Sequence, residues 1–369
     1  MIYRISLLLA LLLTAAFAAR AADLPQWNFE QGTTGWTSLD KQAELAQDKA
    51  AGHVYEGAAS LRFSFQARGP AEGELPGAMG AQLEGLVGAK SLHLALQTSV
   101  AGPCVIAVRE ADESNYMLFT HLSADEWHVL DLPMAAFRLD EHGVDENGQL
   151  DPGQITGLVV ADPGVFLSQA VAQGGFPFFY VQPSQRTFWL DEVQFMEGHP
   201  NRLSDPQLPG TTMLEDCDSD PAYFMVFGGR DLKVSSCADP AARGKSLRLD
   251  YTLPEKSLLA ALCQTAAGAL AGARGITFSV RSGAPLPLLV MVEEEDRSRY
   301  QKVIEVEAGR WQTPVITWGD MTLGDDSQDP DAGLQPETIR SLAFVDASAI
   351  IGQKETANTL WLDEITTAP

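Results

Sequence analysis

An internal repeat constrains the fold of this chain more than any other feature of its sequence. From Leu92 to about Asp162, the chain aligns without a gap with a second stretch 184 residues further on. Matched pairs in this stretch include Pro103/Pro287, Val108/Val292, Glu110/Glu294, Asp112/Asp296, Ser114/Ser298, Tyr116/Tyr300 and Trp127/Trp311. Outside it, Asn28-Phe29-Glu30 matches Met213-Leu214-Glu215, Ser60–Phe65 matches Ser246–Tyr251, and Trp189–Val193 matches Trp361–Ile365. Such self-similarity at a fixed spacing indicates two copies of one domain.

The organisation of the chain follows from this repeat and from its first residues. Arg4 precedes an apolar stretch from Ile5 to Ala19, and Ala19-Arg20-Ala21 is a small-x-small cleavage site, so residues 1–21 are predicted to be a signal peptide. The first module is expected over 23–198, a Pro- and Gly-containing linker over 199–210, and the second module over 211–369. No second long apolar segment follows. We therefore expect an exported protein, periplasmic or extracellular, with no membrane span in the mature chain.

Each copy has the pattern of an all-β domain. Short alternating or continuous apolar runs are separated by turn residues, and no βαβ alternation occurs. Seven runs in the first copy carry the pattern: Ser60–Phe65, Leu92–Thr98, Cys104–Glu110, Tyr116–Thr120, His128–Leu132, Leu158–Ala161 and Thr187–Phe195. Several short strands at such spacing predict a β-sandwich or jelly roll.

Charge and motifs exclude several functions. The chain has 49 acidic and 25 basic residues and a net charge of −24, which disfavours binding to duplex nucleic acid or to an anionic membrane surface. Its six histidines form no metal-binding pair, and there is no Gly-x-Ser-x-Gly or nucleotide-binding motif. Glu110 and Asp112 recur as Glu294 and Asp296, but they are interpreted as turn acids rather than as a catalytic pair. A noncatalytic protein is therefore expected.

The order of short motifs resembles a known family. Phe-Glu near the start, Gly-x-x-Ser-Leu-Arg, a strand pair with Tyr, an acidic loop ending in Asp-Pro-x-Gln-Ile, and Trp-Leu-Asp-Glu-Val occur in this order. This order is similar to that of galactose-binding-like β-sandwiches, above all family 11 carbohydrate-binding modules and the complex I intermediate-associated family. The resemblance implies two tandem jelly-roll modules, each with a glycan groove on the concave face of one sheet and often a structural Ca²⁺.

The resemblance also implies which residues hold the calcium ion. The family takes ligands from the early Phe-Glu and from the Asp of the last strand, which here are Glu30 and Asp191, then Glu215 and Asp363. In the alternative interpretation, Glu30 is merely exposed and Asp191 caps a turn. The acidic stretch from Asp140 to Asp151 does not have EF-hand spacing and is interpreted as a solvated loop.

Candidate sugar-binding residues are polar side chains on the strand of alternating pattern, Leu92–Thr98, and on the strands that follow it. We expect them to lie on one sheet face. They are His93, Gln97, Arg109 and Tyr116 in the first copy, and Arg281, Glu293 and Tyr300 in the second. The alternative is that they are ordinary solvated residues of the sheet.

The remaining aromatic residues and the cysteines receive structural interpretations or stay open. Trp127, Trp189, Trp311 and Trp361 recur in both copies, which favours core packing. Phe176–Tyr180 occurs only in the first copy and could be a sugar platform, a partner patch or a buried lid. Cys217 and Cys237 are twenty residues apart between polar turn residues, so a disulfide is predicted, whereas Cys104 and Cys263 are expected to be buried.

The sequence therefore predicts an exported noncatalytic binding protein for a polysaccharide or glycan. The alternative is a module that binds a protein of the cell envelope, and a glycan-active enzyme is the third interpretation.

Overall fold

A computed structural model describes residues 24–68, 74–140, 143–145, 147–165, 185–198, 212–218, 223–265, 268–325, 327–330, 333–352 and 354–368. The signal peptide predicted for residues 1–21, the linker predicted for residues 199–210 and the aromatic stretch Phe176–Tyr180 lie outside these residues. The chain divides into two compact units, the first built mainly from residues 24–198 and the second from residues 212–368. We call them module 1 and module 2.

Strands form nearly all the regular structure of the described residues. Those of module 1 are β1 (Gln26–Trp27), β2 (Trp36–Ser38), β3 (Glu44–Asp48), β4 (Ser60–Gln66), β5 (Ala78–Gln82), β6 (Ser91–Thr98), β7 (Gly102–Glu110), β8 (Asn115–Leu122), β9 (His128–Pro133), β10 (Arg138–Leu139), β11 (Ile155–Ala161) and β12 (Gln185–Met196). Those of module 2 are β13 (Met213–Glu215), β14 (Phe224–Gly228), β15 (Arg230–Cys237), β16 (Ser246–Leu253), β17 (Leu259–Gln264), β18 (Gly275–Ser282), β19 (Leu286–Glu294), β20 (Arg299–Val306), β21 (Val315–Thr317), β22 (Thr322–Leu323), β23 (Ile339–Asp346) and β24 (Thr356–Ala368). One short helix, α1 (Ser348–Gly352), is described in module 2, and neither module has a helix long and apolar enough for a membrane crossing within the described ranges.

The strands of each module form two sheets with the same topology in both modules. Sheet A of module 1 has the order β3-β4-β12-β6-β9, with β1 also on β12, and sheet B has the order β10-β8-β7-β11-β5-β2. In module 2, sheet C has the order β15-β16-β24-β18-β21, with β13 also on β24, and sheet D has the order β14-β17-β23-β19-β20-β22. Neighbouring strands pair antiparallel. The predicted all-β fold of two tandem β-sandwiches is confirmed.

The alternation of apolar residues determines which face of each strand enters the core. In β4, Leu61, Phe63 and Phe65 are buried, while Arg62 and Ser64 between them are partly exposed. The equivalent residues of β16, Leu247, Leu249 and Tyr251, belong to the core of module 2. Because successive side chains of a strand point to opposite faces, the residues between these apolar positions form the outer face of the sheet.

Both modules contain a bulge in their last strand. In β12 the register with β6 shifts between Asp191 and Gln194, and Glu192 has φ of 45°. In β24 the register with β18 also shifts, and Glu364 has φ of 47°. A bulge inserts one residue and changes which side chains point inward. The repeated Asp-Glu pair therefore marks a repeated irregularity of the backbone.

Candidate functional site

The predicted sugar-binding residues do not share one sheet. His93 and Gln97 lie on β6 of sheet A, whereas Arg109 lies on β7 and Tyr116 on β8, both in sheet B. The same separation divides Arg281 on β18 from Glu293 on β19 and Tyr300 on β20. The expectation of a single face is therefore wrong, because the chain changes sheet between β6 and β7 and again between β18 and β19. Whether these residues bind a ligand stays a prediction.

The residues of sheets B and D are engaged with neighbouring side chains. Tyr116 is buried and its hydroxyl donates a hydrogen bond to Asp145, just as the Tyr300 hydroxyl donates to Asp329. Burial and the adjacent carboxylate raise the pKa of both phenols. Arg109 is buried and pairs with Glu113 at 3.2 Å, and Glu293 is partly exposed.

An acidic cluster lies beside Tyr116 and is repeated beside Tyr300. Carboxylate oxygens of Glu110, Asp112 and Asp145 lie within 4.8 Å of one another. The Ser114 hydroxyl is 2.8 Å from Glu110 and 2.7 Å from Asp112, while the Asp151 amide donates to Glu110 at 2.5 Å. Burial raises the pKa of Glu110.

The equivalent contacts in module 2 join Ser298 to Glu294 and Asp296, and the Gln335 amide to Glu294. Both glutamates are buried. The interpretation of Glu110 and Glu294 as solvated turn acids is therefore wrong, because each accepts hydrogen bonds that tie the end of a strand to the acidic loop. Their recurrence in both copies was the signal for this role.

The two acids predicted to bind calcium in module 1 hold one loop. Glu30 Oε1 accepts hydrogen bonds from the amides of Ala58 at 2.6 Å and Ala59 at 3.1 Å. Asp191 Oδ2 accepts hydrogen bonds from the Tyr55 and Glu56 amides at 3.0 and 3.2 Å, and Asp191 Oδ1 accepts one from its neighbour Glu192 at 2.9 Å. Asp191 is fully buried, which raises its pKa. The carboxylates are thus close to the same loop, and backbone amides already occupy three of their oxygens.

In module 2 the structural counterpart of Glu30 is Asp218. In module 1, Trp27 pairs with Val193 of the last strand, and in module 2, Glu215 pairs with Ile365, which is the residue equivalent to Val193. Trp27 and Glu215 are therefore equivalent positions of the two modules. Three residues later, Asp218 Oδ1 accepts a hydrogen bond from the Lys245 amide, as Glu30 does from the equivalent Ala59 amide. The match of Glu30 with Glu215 is therefore wrong by three residues.

Glu215 instead accepts a hydrogen bond from the Cys217 amide at 2.8 Å, and Glu215 is buried. Asp363 Oδ2 accepts hydrogen bonds from Ala242 and Arg243 at 2.9 Å, as Asp191 does from the equivalent loop. Asp363 Oδ1 is buried and has no hydrogen bond of normal geometry. Burial raises the pKa of Asp363 to about 7. An unpartnered buried carboxylate oxygen fits a cation, so the donor set of module 2 is compatible with Ca²⁺.

The predicted disulfide is wrong. Cys217 and Cys237 are free thiols, as are the other two cysteines. Cys217 is fully buried in the core of module 2, whereas Cys237 lies at the partly exposed end of β15, with its Sγ 2.8 Å from the Asp239 carbonyl oxygen. The polar flanks of Cys217 concealed that it occupies a core position.

Strand register brings four side chains, three of which recur in module 2, into a line across the outer face of sheet A. Arg62 on β4 pairs with Trp189 on β12, which pairs with Gln97 on β6. Leu96 pairs with His128, so Trp127 stands opposite Gln97 at the start of β9. The corresponding residues of sheet C are Arg248, Trp361, Arg281 and Trp311. We call each set of four the tryptophan row.

Trp189 and Trp361 are buried, as the core prediction requires, but both belong to the outer face of a sheet, and Trp127 and Trp311 are not buried. Phe188 and Leu190 point into the core of module 1, so Trp189 between them lies on the opposite face, although only 7% of it is exposed. Trp361 has the same relation to Leu360 and Leu362 and is 8% exposed. Trp127 and Trp311 are partly exposed. Sequence reasoning missed this site, but the alternation around each tryptophan was a usable signal.

In module 1, side chains from outside the row contact its two tryptophans. The His53 ring stacks on Trp189 with 4.1 Å between centroids, and Asp48 accepts hydrogen bonds from both rings. Tyr55 is 42% exposed and its ring centroid lies 5.7 Å from that of Trp127. Trp189 is thus covered by its own module, and Tyr55 extends an aromatic surface to solvent.

The row of module 2 is completed by charge instead. The guanidinium carbon of Arg281 lies 5.2 Å from the ring centroid of Trp361, and that of Arg248 lies 5.6 Å from it. Arg248 makes two contacts with Asp250, at 2.8 and 3.0 Å. Pro240 occupies the position of His53, since each supplies the carbonyl that accepts a hydrogen bond from the first serine of the next strand.

Six of the eight row residues have a buried polar side-chain atom without a hydrogen-bond partner. These atoms are Arg62 Nε, Gln97 Oε1, Trp127 Nε1, Arg281 Nε, Trp311 Nε1 and Trp361 Nε1. Buried polar groups are nearly always hydrogen-bonded, so three such atoms in each of the two rows call for an explanation. A ligand with many hydroxyl groups is one.

Comparison with known proteins gives likeness in structure only. No family model matches the chain, and no curated protein matches its sequence. A family 11 carbohydrate-binding module from Clostridium thermocellum, solved with a β-1,3-1,4-mixed-linked tetrasaccharide, is 19% identical, with a TM-score of 0.36, over 44% of this chain and 97% of that one. The tandem CBM22-1–CBM22-2 domains of Paenibacillus barcinonensis are 12% identical, with a TM-score of 0.30, over 96% of this chain and all of theirs. The likeness is to β-sandwich modules; similarity to the complex I intermediate-associated family stays a prediction.

Proposed function

We propose that this chain is a noncatalytic glycan-binding protein and that the tryptophan rows are its binding surfaces. The observation that carries the proposal is the repeated line of flat and planar polar side chains whose polar atoms lack partners. Ligand sites generally combine apolar and aromatic surface with a few polar groups that fix orientation. A sugar ring offers both an apolar C–H face and hydroxyl groups, so it matches this combination.

Two further features support a glycan over a compact apolar ligand. The rows run across the outer face of a sheet, and Trp127 and Trp311 are partly exposed there. Arg62, Gln97 and Trp127 supply both donors and an acceptor, which suits hydroxyl groups because these can donate and accept. The proposal includes export of the protein, as expected from residues 1–21.

Affinity electrophoresis tests this function. The full chain should be retarded in gels that contain at least one soluble polysaccharide of a panel including mixed-linkage β-glucan. The double variant Trp127→Ala/Trp311→Ala should lose this retardation, whereas Val303→Ala, an exposed position of sheet D, should not. Absence of retardation on every polymer, or equal retardation of both variants, would contradict the proposal.

A structural calcium ion in module 2 is a second part of the proposal. The unpartnered Oδ1 of Asp363 supports it. Glu215 and Asp218, which are close to each other in sequence, lie at the same end of the module. In module 1, Glu30 and Asp191 are the corresponding candidates, but their oxygens accept more backbone hydrogen bonds. Calcium should raise the melting temperature of the full chain, and a chelator should reverse this.

A further inference from the structure

We propose that the tryptophan row of module 2 binds an acidic saccharide residue, one that bears a carboxylate or a sulfate group, and that Arg281 is the residue that recognises the anion. This inference rests on the proposed glycan-binding function and names the ligand class of one of its two surfaces.

Arg281 has no acidic partner in the part of the chain that the structure describes. In this chain of 49 acids and 25 bases, several described arginines find a carboxylate, as Arg62 does at Glu44 and Arg186 at Asp162. Arg281 is partly buried and forms no ion pair with the described residues, and its Nε has no hydrogen-bond partner. Removing a charge from water is costly unless it is paired, so an unpaired arginine at this position suits an anionic ligand.

The neighbours of Arg281 hold it in place without neutralising it. Its guanidinium lies over Trp361, and such a cation–π contact orients the planar group while leaving its edges free for hydrogen bonds. Arg248 lies over the same ring and is neutralised by Asp250. The row therefore keeps one net positive charge at Arg281, and the planar fork of arginine matches a carboxylate or sulfate group.

Module 1 shows what the same row looks like without this charge. Gln97 occupies the position of Arg281, opposite the same tryptophan in each last strand. Trp189 is covered by His53, and its indole N–H is bonded to Asp48. In module 2 the equivalent indole N–H of Trp361 has no partner and adds a donor beside Arg281. The difference converts a neutral surface into a cationic one that carries only donors.

Titration calorimetry on the full chain tests the inference with three defined oligosaccharides. Trigalacturonate carries carboxylates, a sulfated galactan tetrasaccharide carries sulfates, and cellotetraose is uncharged. We expect tighter binding of one or both acidic ligands than of cellotetraose. Arg281→Gln should weaken acidic binding by about tenfold or more, because a charge-assisted hydrogen bond is lost. Gln97 shows that glutamine fits this position of the row.

Arg310→Gln is the matched control, because Arg310 is an exposed arginine of the same module whose side chain is 62% exposed. Equal weakening by Arg281→Gln and Arg310→Gln would mean general electrostatic attraction and would overturn the inference. Binding of cellotetraose alone would also overturn it while leaving the glycan-binding function intact. If no oligosaccharide binds and no polysaccharide retards the chain, both proposals fail.

Discussion

Module 1 and module 2 carry the same tryptophan row, but they satisfy it in different ways. In module 1, His53 covers one tryptophan and Tyr55 extends from the other, and the central position is the neutral Gln97. In module 2, Arg248 and Arg281 lie over the ring of Trp361. A histidine stacked on the ring and an exposed tyrosine are not part of this row in the described ranges. The repeat thus determines the frame of the surface, whereas single residues within the strands and in the loops beside them determine its chemistry.

A buried aspartate in each core follows the same rule. In module 1, Asp162 pairs with Arg186 at 2.5 Å, and Phe65 stands opposite Arg186. In module 2, Tyr251 occupies the position of Phe65 and donates its hydroxyl to Asp346 at 2.6 Å, while Asn358 stands where Arg186 does. Burial raises the pKa of Asp162, and burial and the neighbouring Asp346 carboxylate raise the pKa of Tyr251. The equivalent aspartates thus receive their partner from different strands of the same pair: from the last strand, β12, in module 1 and from its neighbour, β16, in module 2.

The largest effect is expected from breaking the ion pair of module 1. Arg186→Leu leaves Asp162 buried without its cationic partner and should destabilise module 1 by about 3–5 kcal/mol. Tyr251→Phe removes one hydrogen bond at a buried acid and should cost module 2 about 1–3 kcal/mol. Denaturant unfolding of the full chain measures both. The double variant Phe65→Tyr/Arg186→Asn should recover part of the loss, and an Arg186→Leu cost no larger than that of Tyr251→Phe would contradict the comparison.

The next effect concerns pH and Asp363. Its pKa is about 7 in the folded chain, against 3.8 as the ordinary value. The unfolded chain therefore releases this proton first, so stability falls as pH rises from about 4 to about 7 and is level above that. Asp363→Asn should remove this loss, on the order of 4 kcal/mol at pH 8. Melting temperatures measured across this pH range in chelator test it.

Calcium should offset the loss of stability that ionised Asp363 causes. At pH 8, calcium should raise the melting temperature of the natural chain and leave that of Asp363→Asn unchanged. Identical pH profiles for the two proteins, or an equal response to calcium, would show that Asp363 is neither the titrating group nor a ligand.

A smaller effect is expected when Trp189 is uncovered. His53→Ala removes the ring stacked on Trp189 and should destabilise module 1 by about 1 kcal/mol, the range of an aromatic pair. It should also increase glycan affinity through module 1, since the face of Trp189 becomes accessible. Pro240→Ala is the control, because Pro240 is at the equivalent position but covers no ring in the described contacts. Unchanged or weaker affinity of His53→Ala would mean that the histidine belongs to the binding surface.

The smallest effect concerns the cysteines. Because Cys217 and Cys237 are free thiols, a reductant should shift the melting temperature of module 2 by less than a degree. A disulfide would instead contribute about 3 kcal/mol to stability. A large fall in melting temperature on reduction would therefore show that the Cys217–Cys237 disulfide forms.

The sequence predicted the fold because the repeat and the alternation of apolar residues are both visible in the order of the residues, without knowledge of which strands pair. It did not predict which sheet each strand joins, since the chain crosses between sheets after β6, and no local signal separates Gln97 from Arg109 there. The three-residue error at Glu30 arose because the first strand is short and, in module 2, its pairing with β24 has a register shift between Met213 and Glu215. The tryptophans were assigned to the core because they recur, yet Trp189 alternates with the core residues Phe188 and Leu190.

The most direct test of the tryptophan rows is nuclear magnetic resonance of the indole N–H groups. The chain has seven tryptophans, so an ¹⁵N-labelled sample gives seven indole signals, which single tryptophan variants assign. On addition of trigalacturonate, the sulfated tetrasaccharide, cellotetraose or a mixed-linkage tetrasaccharide, the signals of Trp127, Trp311 and Trp361 should move for at least one ligand. Trp318, whose N–H is bonded to the Ala273 carbonyl, should not move. Ligand binding that leaves the row signals fixed and moves residues of sheets B or D would contradict the account.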